Sequence, residues 1–302
     1  QLGLIVSCVS FVVNLIANYA FIFGKFGAPR MEIAGAALGT LLARTSEFLA
    51  TFGYILFKDK ELGLRIKHLL HMPGEEFFSN YLRLGLPVLV SDGLLGLGGN
   101  IVSIILGHMG AAVVAANAIC QVIDRLFTVV IQGISNASSI VTGHTLGEGS
   151  REKAMQQGYT FYVLSIFFGL IAAVMVLACG PLTIAMYTLN DETILMTEEM
   201  MGAYAVIVFF QCIQSVMTKG VLRGGGDTKF LMKADILFMW LVSIPLGGVG
   251  GLLLGWPAWL TILALRVDYV IKSVWCISRL KSGKWIHTAD GIAEEEPEKV
   301  TD

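Results

Sequence analysis

Two stripes of polar residues interrupt long apolar runs at spacings that could serve an ion. Asn117, Gln121, Asp124 and Thr128 follow i, i+4, i+7 and i+11, one face of a helix. Ser135 and Ser139 prolong that face, while the rest of the segment is mostly Ala, Val, Ile and Phe. Lipid cannot neighbour such a stripe, so it faces other helices or water. Upstream, Asp92, Gly96, Gly99 and Ser103 share one face, an acid followed by small residues that allow close helix approach or leave room for an ion. A charge within hydrocarbon costs at least about 2.5–3.5 kcal/mol on insertion scales, so these acids need an explanation. Each is either half of an interhelical hydrogen bond or a carboxylate that takes a proton or Na⁺, because desolvation favours the neutral form of a carboxyl. Asp92 has no basic residue within a helical turn. Asp124 is followed by Arg125, but consecutive residues diverge on a helix, so Arg125 needs a partner elsewhere.

Other groups add to this inventory. Tyr204, Gln211, Ser215 and Thr218 share a face of a later segment, with Gln214 close by. Arg44 with Glu47, and Arg266 with Asp268, read as structural charge pairs or as partners across helices. The words Leu41-Leu42-Ala43-Arg44 and Leu263-Ala264-Leu265-Arg266 are alike, as related halves of one chain would be. Arg223-Gly224-Gly225-Gly226-Asp227 separates two apolar runs and reads as a tight turn, with Arg223 and Lys229 as anchors at a membrane surface. Gly224 to Asp227 also spells the GxGD word of intramembrane aspartyl proteases, but those enzymes need a second aspartate in a Tyr-Asp dipeptide, which the chain lacks. The five cysteines lie singly in apolar segments and the histidines are scattered, so no metal site and no cofactor are expected.

These residues sit in a chain of 302 residues, 55% hydrophobic and only 15% charged, with a mean hydropathy of +0.71. Soluble domains carry about 25% charged residues, so membrane lipid is the expected surroundings. The net charge of −2 and the lack of a basic cluster speak against a nucleic-acid partner. Spanning the hydrocarbon takes about 20 apolar residues, and eight segments qualify: 2–23, 33–57, 80–106, 111–142, 157–187, 201–222, 230–254 and 258–280. Pro87 and Pro245 predict kinks within two of them. Residues 58–79 read as a surface helix between two bundles, with Leu62, Ile66, Leu69 and Leu70 on one face. With that connection in the cytosol, alternation puts twelve Lys and Arg inside and only Lys25 and Arg30 outside. Trp256, Trp259, Tyr187 and Trp285 then fall at the interfaces, and the acidic stretch 286–302 is expected as a cytosolic tail without fixed structure. Because the chain opens at Gln1 in mid-span, it reads as a piece of a longer protein.

Several words in order resemble the multidrug and toxic compound extrusion (MATE) family. They are Asn14 to Gly27 with Ile33 to Thr40, Thr142 to Glu148, Leu222 to Thr228, and Arg279 to Trp285. The resemblance covers residues 1–285. It implies an all-α polytopic membrane protein of two six-helix lobes, here the last two helices of the first lobe (1–57), a linker (58–79) and a complete second lobe (80–285). It also implies export of cationic amphipathic compounds in exchange for H⁺ or Na⁺ by alternating access, in the plasma membrane, by a protein that is monomeric when full length. Several family members carry an essential acid in the seventh helix, and Asp92 falls in the matching span. Where others have an aspartate in the tenth helix, this chain has Gln211 and Gln214. The resemblance leaves a second substrate class open, since flippases of lipid-linked sugars share the architecture and tend towards a more basic cavity.

Overall fold

In the computed structural model, residues 2–57, 74–187 and 190–286 are described. Every regular element among them is helical. Hydrocarbon offers no partner to a backbone N–H or C=O, and a helix satisfies both within one segment. Among the described residues, six helices are long and apolar enough to cross a membrane: Gly3–Phe23, Gly85–Met109, Ala111–Gly147, Arg151–Ala185, Asp191–Leu222 and Thr228–Leu253.

Two compact units divide the chain, Gln1–Phe78 and Ser79–Asp302. The first contains a hairpin of α1 (Leu2–Phe23) and α2 (Glu32–Phe57). Gly35 brings the two helices together, since a Cβ there would stand 2.7 Å from the Phe21 carbonyl. Ser10 bridges them by donating to the Ala43 carbonyl (3.2 Å) and to Glu47 (3.3 Å). Most of the linker expected at 58–79 lies outside the described residues, and α3 begins within it, at Glu75. The tail expected at 286–302 lies outside them from 287 onwards.

The second unit holds all but the first four residues of α3 (Glu75–Met109), then α4 (Ala111–Gly147), α5 (Arg151–Ala185), α6 (Asp191–Leu222), α7 (Thr228–Leu253), α8 (Ala258–Leu265) and α9 (Val267–Ser282). Burial ranks these helices. The most apolar window of α6 is 72% buried, against 22–33% for α3, α4, α5 and α7, so α6 is the post around which the others pack. Its polar side chains therefore meet protein rather than lipid. The apolar core runs along it, with Tyr204, Val208 and Cys212 packed among Cys120, Ile123 and Leu265.

Three of the expected spans are not simple helices. The last turns of α6, Val216–Leu222, are π-helical, and Ser135 of α4 donates to the Ser215 carbonyl (2.9 Å) where the α-helical ladder gives way. In α7 the π-helical Ile236–Ser243 and Val249–Leu253 flank a short α-turn that holds Pro245, whose missing N–H removes one rung of the ladder. The span expected at 258–280 is broken at Arg266, which has φ −120° and ψ 12° and ends α8 as it starts α9.

Candidate functional site

The polar residues of the second unit gather in three places, held by different helices. The first is an open cleft of about 660 Å³ lined by Asp92 of α3, by Gln132, Asn136 and Ser139 of α4, and by Lys219 and Arg223 at the end of α6. Arg223 Nη2 donates to Asp92 Oδ1 at 3.0 Å. Asp92 has no basic residue within a helical turn in the sequence, and the fold brings Arg223 to it from 131 residues away. A pair whose side chains are 50% and 29% exposed is worth at most about 1 kcal/mol in water, weak enough for another cation to replace the guanidinium. The cleft carries two bases against one acid.

The glycine turn follows Arg223 in the chain, and each glycine there has a steric task. Gly224 lies against the Ser139 carbonyl, Gly225 against the ring of Trp285, and Gly226 has φ +84°, which only glycine adopts without strain. Trp285, expected at the membrane interface, is instead wholly buried. Asp227 is buried as well and accepts from Arg279 Nε at 2.7 Å, while the Arg279 guanidinium covers the Phe230 ring. The turn is a packed joint tied to α9.

The second place lies between α4 and α6, where the stripe predicted on α4 finds its partners. Tyr204 donates to Asn117 Oδ1 at 2.7 Å, and Gln211 donates to Thr128 at 3.4 Å. Gln214 is buried and donates to Thr218 on its own helix at 2.9 Å. Asp124 and Gln121 are half-buried on the same helix as Asn117. Asp124 Oδ1 is enclosed without a hydrogen bond, within electrostatic reach of Arg266. Arg125 is exposed and forms no ion pair among the described residues. Asp92 is not part of this group, since Gln132 of its cleft is about 12 Å further along α4 than Asp124.

The third place was not foreseen. Lys272 Nζ of α9, with no exposed surface, stands 2.8 Å from Asp235 Oδ1 of α7 and 3.0 Å from Asp268 Oδ2 of α9. Asp268 Oδ1 also accepts from Ser243 (3.4 Å), whose oxygen in turn receives the Asp268 backbone N–H (2.8 Å). Ser91 of α3 donates to Asp235 Oδ2. Arg266 and Asp268, read as a charge pair or as partners across helices, form no direct ion pair among the described residues, and Asp268 is held by Lys272. Residues two apart do not face each other on a helix, and Arg266, at the helix break, donates to the Tyr269 hydroxyl instead (3.1 Å). Removing one member of a fully buried ion group costs about 3–5 kcal/mol, so this cluster also clamps three helices together. Two signals could have exposed it: Asp268 and Lys272 stand at i, i+4, and Asp235 and Lys272 are each charges within predicted spans.

In the first unit, Arg44 Nη1 and Glu47 Oε2 are 2.7 Å apart, one turn from each other on α2. They border a cleft of about 390 Å³ with Ser7, Ser10, Asn14 and Thr40.

Comparison with known proteins agrees with this architecture. The MatE family profile matches residues 87–249, from Pro87 in α3 to the last third of α7. Multidrug resistance protein MdtK of Photorhabdus laumondii is 28% identical over 250 residues, which are 83% of this chain and 54% of that relative. The chain thus spans about half the length of the curated relatives it matches. The outward-facing structure of a multidrug resistance MATE family transporter of the MOP superfamily superposes with a TM-score of 0.75 at 18% identity, covering 91% of this chain and 62% of that one. A MOP superfamily transporter from Pyrococcus furiosus, reported with a binding pocket of reverse polarity, superposes with the same score, identity and coverage.

Proposed function

Because the chain belongs to the MatE family, we propose that it contributes the second lobe, and two helices of the first, to a secondary antiporter. That antiporter exports cationic amphipathic drugs or metabolites in exchange for H⁺ or Na⁺, by alternating access of the two lobes. The protein is a multi-pass membrane protein. The plasma membrane and a cytosolic C-terminus are part of the proposal, supported by the strong bias of Lys and Arg to one set of loops.

The observation that carries this reading is Asp92 on the wall of an open polar cleft, in a bond that exchange can break. A proton, Na⁺ or an ammonium group competes with Arg223 for the carboxylate, and Gln132, Asn136 and Ser139 supply neutral oxygens beside it. Displacing Arg223 loosens the link between α3 and the end of α6, a change of the kind that moves one helix against another. Asp92→Asn keeps the size and removes the charge. In the protein as its gene encodes it, cellular efflux of a lipophilic fluorescent cation should fall at least about tenfold, a loss of 1.4 kcal/mol of differential binding. Undiminished efflux removes Asp92 from the mechanism.

One observation favours a second reading. With Lys219 and Arg223 against Asp92, the cleft has a surplus positive charge that suits an anionic amphiphile, such as the pyrophosphate of a lipid-linked sugar. On that reading Lys219→Met impairs movement of the anionic lipid across vesicles. On the first reading it spares the efflux of cations.

A further inference from the structure

One cavity of the second unit takes no part in the polar sites. It has a volume of about 310 Å³ and lies between α6, α7 and the broken pair α8–α9. From it we infer that this lobe holds a bilayer lipid by one acyl chain, in a slot that runs along α8 and α9. The inference needs only that the helices cross a membrane, and it is independent of the antiporter reading.

Leu260, Leu263, Val267 and Val270 line one wall at i, i+3, i+7 and i+10, a stripe that follows the helix axis across the break. Ten residues of helix rise about 15 Å, half of the ~30 Å of a hydrocarbon core. The volume of 310 Å³ over that length leaves a mean cross-section of about 20 Å², room for a single file of methylenes. Trp256, in the loop before α8, borders one end. Phe210 borders the other, near the middle of the 32-residue α6 span, where its carbonyl accepts from Ser273 just beyond Val270 (3.3 Å). The slot has the depth of one leaflet.

Its lining is almost wholly apolar, with Arg266 as the one charged residue in it. Arg266 Nη1 donates to the Tyr269 hydroxyl (3.1 Å), and the guanidinium lies 5.6 Å from the centre of that ring, so the slot meets the stem. An apolar cavity of this kind does not hold water, and left empty it forfeits dispersion contacts of its walls. The lining has no carboxylate for the charge of a cationic compound, whereas a hydrocarbon chain asks for no hydrogen bond. Nor can the walls close up. Gly247, Gly250 and Gly251 of α7 already press on Leu265, the Trp256 ring and Thr261, leaving no gap for a Cβ. The mouth is open, since Val206 of α6 and Leu246 of α7 are 46% and 43% exposed.

The test uses a phosphatidylcholine whose acyl chain ends in a diazirine. It is titrated into the protein as its gene encodes it, in micelles and stripped of native lipid. After photolysis, peptide mapping should place the label on Val206, Phe210 and residues 263–270, saturating near one lipid per protein. Val206→Trp plugs the mouth and should abolish that labelling, while background label persists on Val163 and Phe167, exposed on α5. Val270→Phe, which fills the slot from the opposite wall, is the second plug, and a melting temperature shows that each plugged protein is folded. Label that spreads over exposed faces without saturation, or that survives both plugs, overturns the inference. Label displaced by a lipophilic fluorescent cation assigns the slot to a transported compound and overturns it as well. If labelling behaves as stated in a protein that exports no cation, the antiporter reading fails and the lipid slot stands.

Discussion

At the scale of single residues, the decisive property is whether a charge has a partner that can be exchanged. Asp92 and Asp235 lie on neighbouring helices, yet their partners differ in kind. Arg223 holds Asp92 in a half-exposed pair, whereas Lys272 holds Asp235 where water does not reach. The first is open to a competing cation, and the second ties α9 to α7. Arg223→Gln should therefore leave the fold intact and raise the apparent affinity for a cationic dye, by up to about fivefold if the pair is worth 1 kcal/mol. Dye-binding titration in micelles reads this directly, and unchanged affinity means that Arg223 does not compete for the carboxylate. Trp285 makes a stability prediction at the same scale. Gly225→Ala pushes a methyl into its buried ring and should cost roughly 1–3 kcal/mol, seen as a lower melting temperature in micelles. A wild-type melting temperature would show that the ring can shift aside.

At the scale of elements, the helices were legible in sequence because hydrocarbon permits little else, and six of the apolar runs match the beginnings and ends of helices to within about six residues. Breaks within helices were not legible. The π-helical ends of α6 and α7 and the rupture at Arg266 depend on which neighbour supplies a hydroxyl or removes a donor, and such contacts lie far apart in the chain. The start of α6 at Asp191 was missed by ten residues, because its first turns carry Asp191, Glu192, Glu198 and Glu199 and read as a loop. Acids in a first turn are favoured by the helix dipole. The seams that α7 makes with α3 and with α8 yield a graded test. A Cβ at Gly98 meets the flexible tip of Met239, whereas one at Gly247 meets Leu265 down to its backbone nitrogen. Gly98→Ala should cost under about 1 kcal/mol and Gly247→Ala 1–3 kcal/mol in thermal melts. Equal costs would mean that the two seams are packed alike.

At the scale of the whole molecule, family and fold were within reach of the sequence, since the words around Asn14, Thr142, Leu222 and Arg279 occur in order across the chain. The site was only partly so. Asn117, Thr128 and Gln211 form the kind of polar seam that periodicity suggests, while Asp235, Lys272 and the Asp92–Arg223 bond emerge only when α3, α6, α7 and α9 are brought together. A one-dimensional pattern shows which face of a helix is polar but not which other helix answers it. The central claim, export of organic cations against an ion gradient, is tested most directly in proteoliposomes holding the protein as its gene encodes it. An imposed H⁺ or Na⁺ gradient should drive a lipophilic cation in the opposite direction to the ion, and collapsing the gradient should stop it. Movement of the cation that ignores both gradients would contradict the antiporter.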